Sequence, residues 1–143
     1  IHLGGTGAAN KLSDYETGNW TPVIKIGTTN NTLAVAYARY TKVGRQVTIN
    51  MSASLINTRA GTGGLTIDGI PFTPIGSAQM TWRFNDNMNG ADAVCQVSTD
   101  TTLYFYKNST STAGSLATFT EAFIHATNGG KHILITGTYF TNS

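Results

Sequence analysis

Few side chains in this 143-residue sequence are of a type and spacing that could do chemistry, and each has a plainer use. Asp14 and Glu16 are two residues apart, so an extended backbone puts both carboxylates on one face. Paired carboxylates hydrolyse glycosides when held roughly 5–9.5 Å apart. They also cap turns or pair with a cation such as Lys11 or a neighbour's arginine, and in a polar stretch that use is favoured. Asp86 and Asp92 flank a turn and read the same way. The run Asn85-Asp86-Asn87-Met88-Asn89-Gly90 has the offsets of a calcium loop. Its first ligand position is Asn85 and its twelfth is Gln96, and affinity in such loops follows ligand charge, so a hairpin turn accounts for it better. His2, His125 and His132 share no metal-ligand spacing. No G-x-S-x-G elbow is present, and residues 61–64 (GTGG) lack the lysine of a phosphate loop. No metal or cofactor is therefore expected.

Aromatic side chains are the remaining signal. Sugar rings stack on Trp and Tyr faces while amide, carboxylate and guanidinium groups bond the hydroxyls. Trp82, Tyr104 and Tyr106 could supply the faces, and Asn85, Asp86, Asn87, Asp92 and Asn108 lie in or beside loops near them. For Trp82 a place in the core is favoured, because it is in phase with Met80 and Phe84.

The elements that must position these groups are strands. Residues 78–84 alternate Ala78, Met80, Trp82 and Phe84 with Gln79, Thr81 and Arg83. Residues 47–55 alternate Val47, Ile49, Met51, Ala53 and Leu55 with Thr and Asn or Ser. A period of two with one apolar set is a half-buried strand. The same reading predicts strands over 23–26, 33–43, 65–70, 91–97, 101–107 and 132–140, with turns at 27–32, 43–46, 57–64, 85–90, 98–100 and 128–130. Residues 116–125 fit either a strand end or a helical turn capped by Thr120. About eight strands at roughly ten-residue spacing, with no amphipathic helix, predict an all-β antiparallel β-sandwich or jelly roll. Residues 101–107 are apolar on both faces, Leu103 and Phe105 on one, Tyr104 and Tyr106 on the other. Both faces ask for cover, from a loop of the same chain or from a neighbouring subunit.

Composition agrees. Charged residues are 11% and threonine is the commonest type, which suits a sheet solvated by hydroxyls. The nine basic residues are scattered, whereas nucleic-acid binders cluster them on one face, so no nucleic-acid partner is expected. The single Cys95 rules out an internal disulfide and any cysteine-based zinc site. No apolar run reaches the ~18 residues of a membrane span, so no membrane insertion is expected. Residues 1–3 do not read as a signal peptide, and the start without Met points to a fragment, a processed chain or the end of something longer.

Residues 3–22, LGGTGAANKLSDYETGNWTP, have no period and stand before the strands as a junction. They resemble a recurrent bacteriophage motif, L-G-G-T-x-x-A-N-x-L-D-D-Y-E-E-G-T-W-T-P, that opens the C-terminal domain of many tail fibres and tailspikes. The likeness continues in YARYTKVGRQVTI, LTIDGIPF and ILITGTYFT, while residues 76–128 match no such segment. Ser13, Thr17 and Asn19 depart from the motif, none at a Gly, Pro or Trp. The resemblance implies a non-catalytic, jelly-roll-like head on a homotrimeric fibre of the virion tail, outside the cell. It would act as trimer clamp, as receptor-binding protein for host surface polysaccharide or lipopolysaccharide, or as both, beside other tail proteins. A capsid-decorating module of the same fold is the alternative, and a glycan-degrading enzyme a third. On this reading residues 1–19 are a neck and 20–143 the head. Asp14, Tyr15, Glu16 and Trp20 would contact a neighbouring subunit, and receptor contacts would come from residues 85–92 and 108–115.

Overall fold

A computed structural model describes residues 14–55, 60–84, 93–108, 116–118 and 131–142. Among these every regular element is a strand: β1 (Tyr15–Asn19), β2 (Val23–Ile26), β3 (Thr29–Asn31), β4 (Leu33–Val43), β5 (Gln46–Leu55), β6 (Leu65–Asp68), β7 (Ala78–Phe84), β8 (Ala93–Val97), β9 (Thr102–Asn108), β10 (Leu116–Thr118) and β11 (Lys131–Phe140). All pairings are antiparallel, in the order β1-β4-β5-β11-β7-β8-β9-β6-β2-β3, with β10 beside β9.

The all-β, antiparallel character follows the period-two alternation. Two strands, β1 and β3, were not expected, because each is short and carries little apolar signal. β1 is mostly exposed and lies within the stretch read as a neck, yet it pairs with β4 from Tyr15↔Val43 to Asn19↔Arg39. The expected turn over 27–32 is confined to Gly27 and Thr28, after which β3 pairs back on β2. Of the ambiguous stretch 116–125, residues 116–118 form β10 and the rest lie outside the described residues.

The sheet curls at β7. Its first half, Ala78 to Met80, pairs with β8, and its second half, Thr81 to Phe84, pairs with β11. A strand shared in this way turns a corner, and the close approach it forces explains Gly137. A Cβ there would run into the Met80 sulfur and come within 3.2 Å of the Met80 Cα, so a larger residue would force Met80 to shift.

The curl gathers one face of the sheet around a single core. Val47, Ile49, Met51 and Ala53 of β5 join Ile133, Ile135 and Tyr139 of β11. Ile24 and Ile26 of β2, Leu65 and Ile67 of β6, and Leu103 and Phe105 of β9 complete the cluster. Burying each such aliphatic or aromatic side chain contributes roughly 1.5–3 kcal/mol relative to exposure, so this one-sided alternation is the main reason the sheet holds its register. Cys95 is fully buried in it, and that burial pushes its thiol well above the ordinary range.

β4 carries a break in the alternation. Leu33↔Leu55, Ala34↔Ser54 and Val35↔Ala53 pair in register, then the register shifts, and Tyr37↔Ser52 resumes it. Ala36 is the extra residue of a β-bulge. A bulge inverts the parity of every residue after it. Tyr37 and Arg39, in phase with Leu33 and Val35 in the sequence, therefore point outward, while Ala38, Tyr40 and Lys42 point inward.

Candidate functional site

Two kinds of surface carry the groups of interest: one tightly bonded corner and two outer faces of the sheet.

The corner forms where β1, the end of β4, the segment after β6 and the end of β11 converge. Asp14 has φ 68°, a left-handed conformation that aspartate tolerates better than most side chains. That bend brings the chain into β1 with the Asp14 carbonyl accepting a hydrogen bond from the Gly44 amide at 3.0 Å. Its carboxylate pairs with Lys42 Nζ, whose side chain is only 4% exposed, and the Lys42 ammonium also lies 5.6 Å from the centre of the Phe72 ring. A buried ammonium needs such company, since desolvation is otherwise uncompensated. Glu16 accepts a hydrogen bond from the Tyr40 hydroxyl, which, with some burial and the nearby negative charge, raises the Tyr40 phenol above its ordinary value. Tyr40 meets Phe72 edge to face, with ring centres 5.3 Å apart.

Gly69 follows β6 with φ 96°, and a Cβ there would strike the Thr21 carbonyl, so the D-G pair at 68–69 is what lets this segment close on residues 20–22. Trp20 lies in the core at 7% exposure, its amide bonded to the Ala38 carbonyl. The Tyr139 hydroxyl receives the Phe72 amide at 3.4 Å, and burial, partly offset by that bond, pushes its phenol up to about 12. Arg45 Nε donates to the Thr141 carbonyl, whose own amide donates to the Arg45 carbonyl.

The first outer face lies on β9. Tyr104 and Tyr106 point away from the core and stack on one another, ring centres 6.2 Å apart and 25° from parallel. The Asp100 carboxylate accepts from the Tyr104 hydroxyl at 2.6 Å and from the Thr102 amide at 3.2 Å. This hydrogen bond, then burial and the carboxylate's charge, hold the Tyr104 phenol above its ordinary value. Cross-strand neighbours of Tyr104 are Gln96 and Thr66, and beyond them Lys25 pairs with Asp68. Both tyrosines are half-buried, so their mutual stacking supplies part of the cover expected of a second chain.

The second outer face spans β4, β5, β11 and β7. Register places its residues in rows across the strands. Thr17, Thr41, Thr48 and Thr138 form one row, with Thr48 and Thr138 hydroxyls 3.0 Å apart. Tyr15, Val43, Gln46 and Phe140 form the next, and Ile75 joins it through its amide bond to the Phe140 carbonyl. Tyr15, Val43, Ile75 and Phe140 are 59%, 43%, 44% and 55% exposed, which makes this end of the sheet an open apolar patch.

Of the residues singled out for sugar binding, Tyr104 and Tyr106 are together on one face. Trp82 packs edge-on against Phe105, ring centres 5.0 Å apart, at the margin of the core. Asn85, Asp86, Asn87 and Asp92 lie outside the described residues, as do residues 109–115, and of Asn108 only its place in β9 is described. Of those singled out for subunit contact, Tyr15 is open, Asp14 and Glu16 already have partners within the chain, and Trp20 is a core residue. The sequence reading missed Lys42 and Tyr40 as the partners of the carboxylates, and Phe72 as the ring that both of them meet. The outward set Tyr37, Arg39 and Arg83 also escaped it, hidden for β4 by the bulge. No protein-family model and no curated protein matches this chain.

Proposed function

We propose that this chain is the C-terminal head of a bacteriophage tail fibre or tailspike, a non-catalytic module that trimerises and recognises host surface glycan. One observation carries the reading. The four segments that resemble the phage pattern are far apart in sequence, yet their distinctive residues meet at one corner: Asp14, Glu16 and Trp20; Tyr40 and Lys42; Gly69 and Phe72; Tyr139 and Thr141. A motif whose members bond to one another is a folding signature. This supports a shared framework, and the contents of that framework support binding rather than catalysis, since both motif carboxylates are spent on Lys42 and Tyr40.

The finer architecture belongs to the same proposal. Inward residues from both halves of the curled sheet share one core, which supports a jelly-roll-like sandwich. The open row of Tyr15, Val43 and Phe140, directly after residues 1–13, supports contact between copies, because apolar patches of this kind mark association surfaces. The stacked Tyr104–Tyr106 pair with its polar neighbours supports sugar recognition. Light scattering coupled to size exclusion gives a trimer at micromolar concentration, and addition of the purified chain blocks phage adsorption to host cells. A monomer overturns the trimer, and undiminished adsorption overturns the recognition.

A further inference from the structure

The bulge at Ala36 turns Ala38, Tyr40 and Lys42 inward, and it has a second effect on the opposite face. Bulges re-aim side chains, often beside binding sites, and this one turns Tyr37 and Arg39 onto the outer face of β4. There the cross-strand register sets two parallel rows: Tyr37, Ser52, Leu134 and Arg83, and beside it Arg39, Asn50, Thr136 and Thr81. A depression of about 150 Å³ opens among Tyr37, Asn50, Thr81, Arg83, Leu134 and Thr136. That is below the ~300–1,000 Å³ of drug-sized pockets, so it has room for one small ring and its substituents.

The chemistry of the lining is specific. Tyr37 and Leu134 flank the nearly buried Ser52 and offer apolar walls at 36% and 37% exposure. Asn50 and Thr81 can each donate and accept, as sugar hydroxyls require, while the Thr136 hydroxyl donates to the Ile49 carbonyl at 3.3 Å and is left to accept. Arg83 lines one end, and the Arg39 guanidinium lies 5.6 Å from the centre of the Tyr37 ring. Guanidinium groups only donate and never lose their charge. Among the described residues neither arginine has a carboxylate partner: Asp14 is held by Lys42 and Asp68 by Lys25, Glu16 faces Tyr40, and Asp100 faces Tyr104. Two arginines beside an aromatic wall, with no carboxylate partner among the described residues, form a complement to an anionic group on a ring.

We infer that the depression bounded by Tyr37 and Arg83 is a binding subsite for a pyranose carrying an anionic substituent, a carboxylate or a phosphate. It rests on the glycan-recognition reading and names the sugar class, at a place separate from the β9 tyrosines. The ring lies against Tyr37 and Leu134, the anion reaches Arg83 or Arg39, and Asn50 and Thr136 take hydroxyls.

The test is an amide NMR titration of the 143-residue chain with glucuronate, glucose 6-phosphate, glucose and inorganic phosphate. Glucuronate or glucose 6-phosphate is expected to move the Asn50, Arg83 and Thr136 amides saturably and at least about tenfold more tightly than glucose, as a charge-assisted hydrogen bond implies. The two acidic sugars distinguish carboxylate from phosphate. Arg83→Gln and Arg39→Gln, both on the exposed face, are expected to abolish the preference for the acidic sugar while leaving the spectrum folded. Equal binding of glucose and the acidic sugars, inorganic phosphate binding as tightly as glucose 6-phosphate, or unchanged binding in Arg83→Gln overturns the inference. Shifts confined to Gln96 and Tyr104 overturn it and leave glycan recognition standing, whereas silence at every amide counts against both.

Discussion

The corner where β1 closes on β4 and the outer face a few residues along the same strands are made by neighbouring positions, and they are opposite in kind. At the corner the charged groups have partners within the chain: Asp14 holds Lys42 and Glu16 holds Tyr40. The Phe72 amide meets the Tyr139 hydroxyl, and the buried Trp20 indole nitrogen is the exception, with no hydrogen-bond partner among the described residues. On the outer face, one residue away along β4, the only partner of Arg39 among the described residues is the Tyr37 ring, and Tyr15, Val43 and Phe140 are exposed. Alternation along a strand thus divides labour within a single segment: inward residues fix the fold, and outward ones remain available to something else. Chemistry in this molecule should be sought where bonding is incomplete.

That contrast can be broken by substitution. The largest effect is expected inside. Trp20→Ala removes a core side chain and should cost about 3–5 kcal/mol in urea unfolding. A cost under about 1 kcal/mol would mean that residues 20–22 do not lock the sheet. Next comes alkaline pH. The Tyr139 phenol is pushed up to about 12 in the fold, against an ordinary value of 10.0 for the free group. Because the folded value is the higher, the unfolded chain loses its proton first. The contribution is complete below pH 10 and is lost as pH rises through about 12, on the order of 2–3 kcal/mol at most. Tyr40 and Tyr104, also raised, act in the same direction. Tyr139→Phe should shrink the alkaline loss measured by urea titration between pH 9 and 12, and an unchanged profile would remove Tyr139 as its source.

Asp14→Asn leaves the buried Lys42 ammonium without its carboxylate. Asp14 itself is half exposed, so the expected cost is about 1–2 kcal/mol rather than that of a fully buried pair. Lys42→Met, which keeps the volume and removes the charge, should cost less than Asp14→Asn. The reverse order would show that the ion pair, and not packing against Phe72, dominates. The smallest effect lies outside: Thr48→Val on the threonine row should stay within about 0.5 kcal/mol. A larger loss there would erase the contrast between corner and face.

The legible part of this fold was the part whose physics is local. β5 and β7 could be read directly, since burial of every second residue leaves a period of two. Leu103 and Phe105 against Tyr104 and Tyr106 gave the two faces of β9 in the same way. β1 was illegible because an exposed edge strand of Tyr, Glu, Thr, Gly and Asn owes its place to pairing with β4 and not to burial. The orientation of Tyr37 and Arg39 was hidden because one inserted residue inverts parity, and nothing about Ala36 marks it as the insertion. The carboxylates were noticed for their spacing, but their partners Lys42 and Tyr40 lie 28 and 24 residues away. A single sequence does not express such distances except through a recurring motif.

One feature of the sheet order bears on how the molecule is made. β11, synthesised after all the other strands, sits in the middle, pairing along its whole length with β5 and over four residues with β7. Until it emerges, β5 and β7 each present an unpaired backbone edge, and the two halves of the sheet have no shared ladder. Pairings this distant in sequence form slowly, and exposed edges invite wrong partners. Chains cut short before residue 131 should therefore aggregate rather than yield a smaller folded unit. Folding acts as proofreading of length, since only chains translated as far as their central strand can close the sheet.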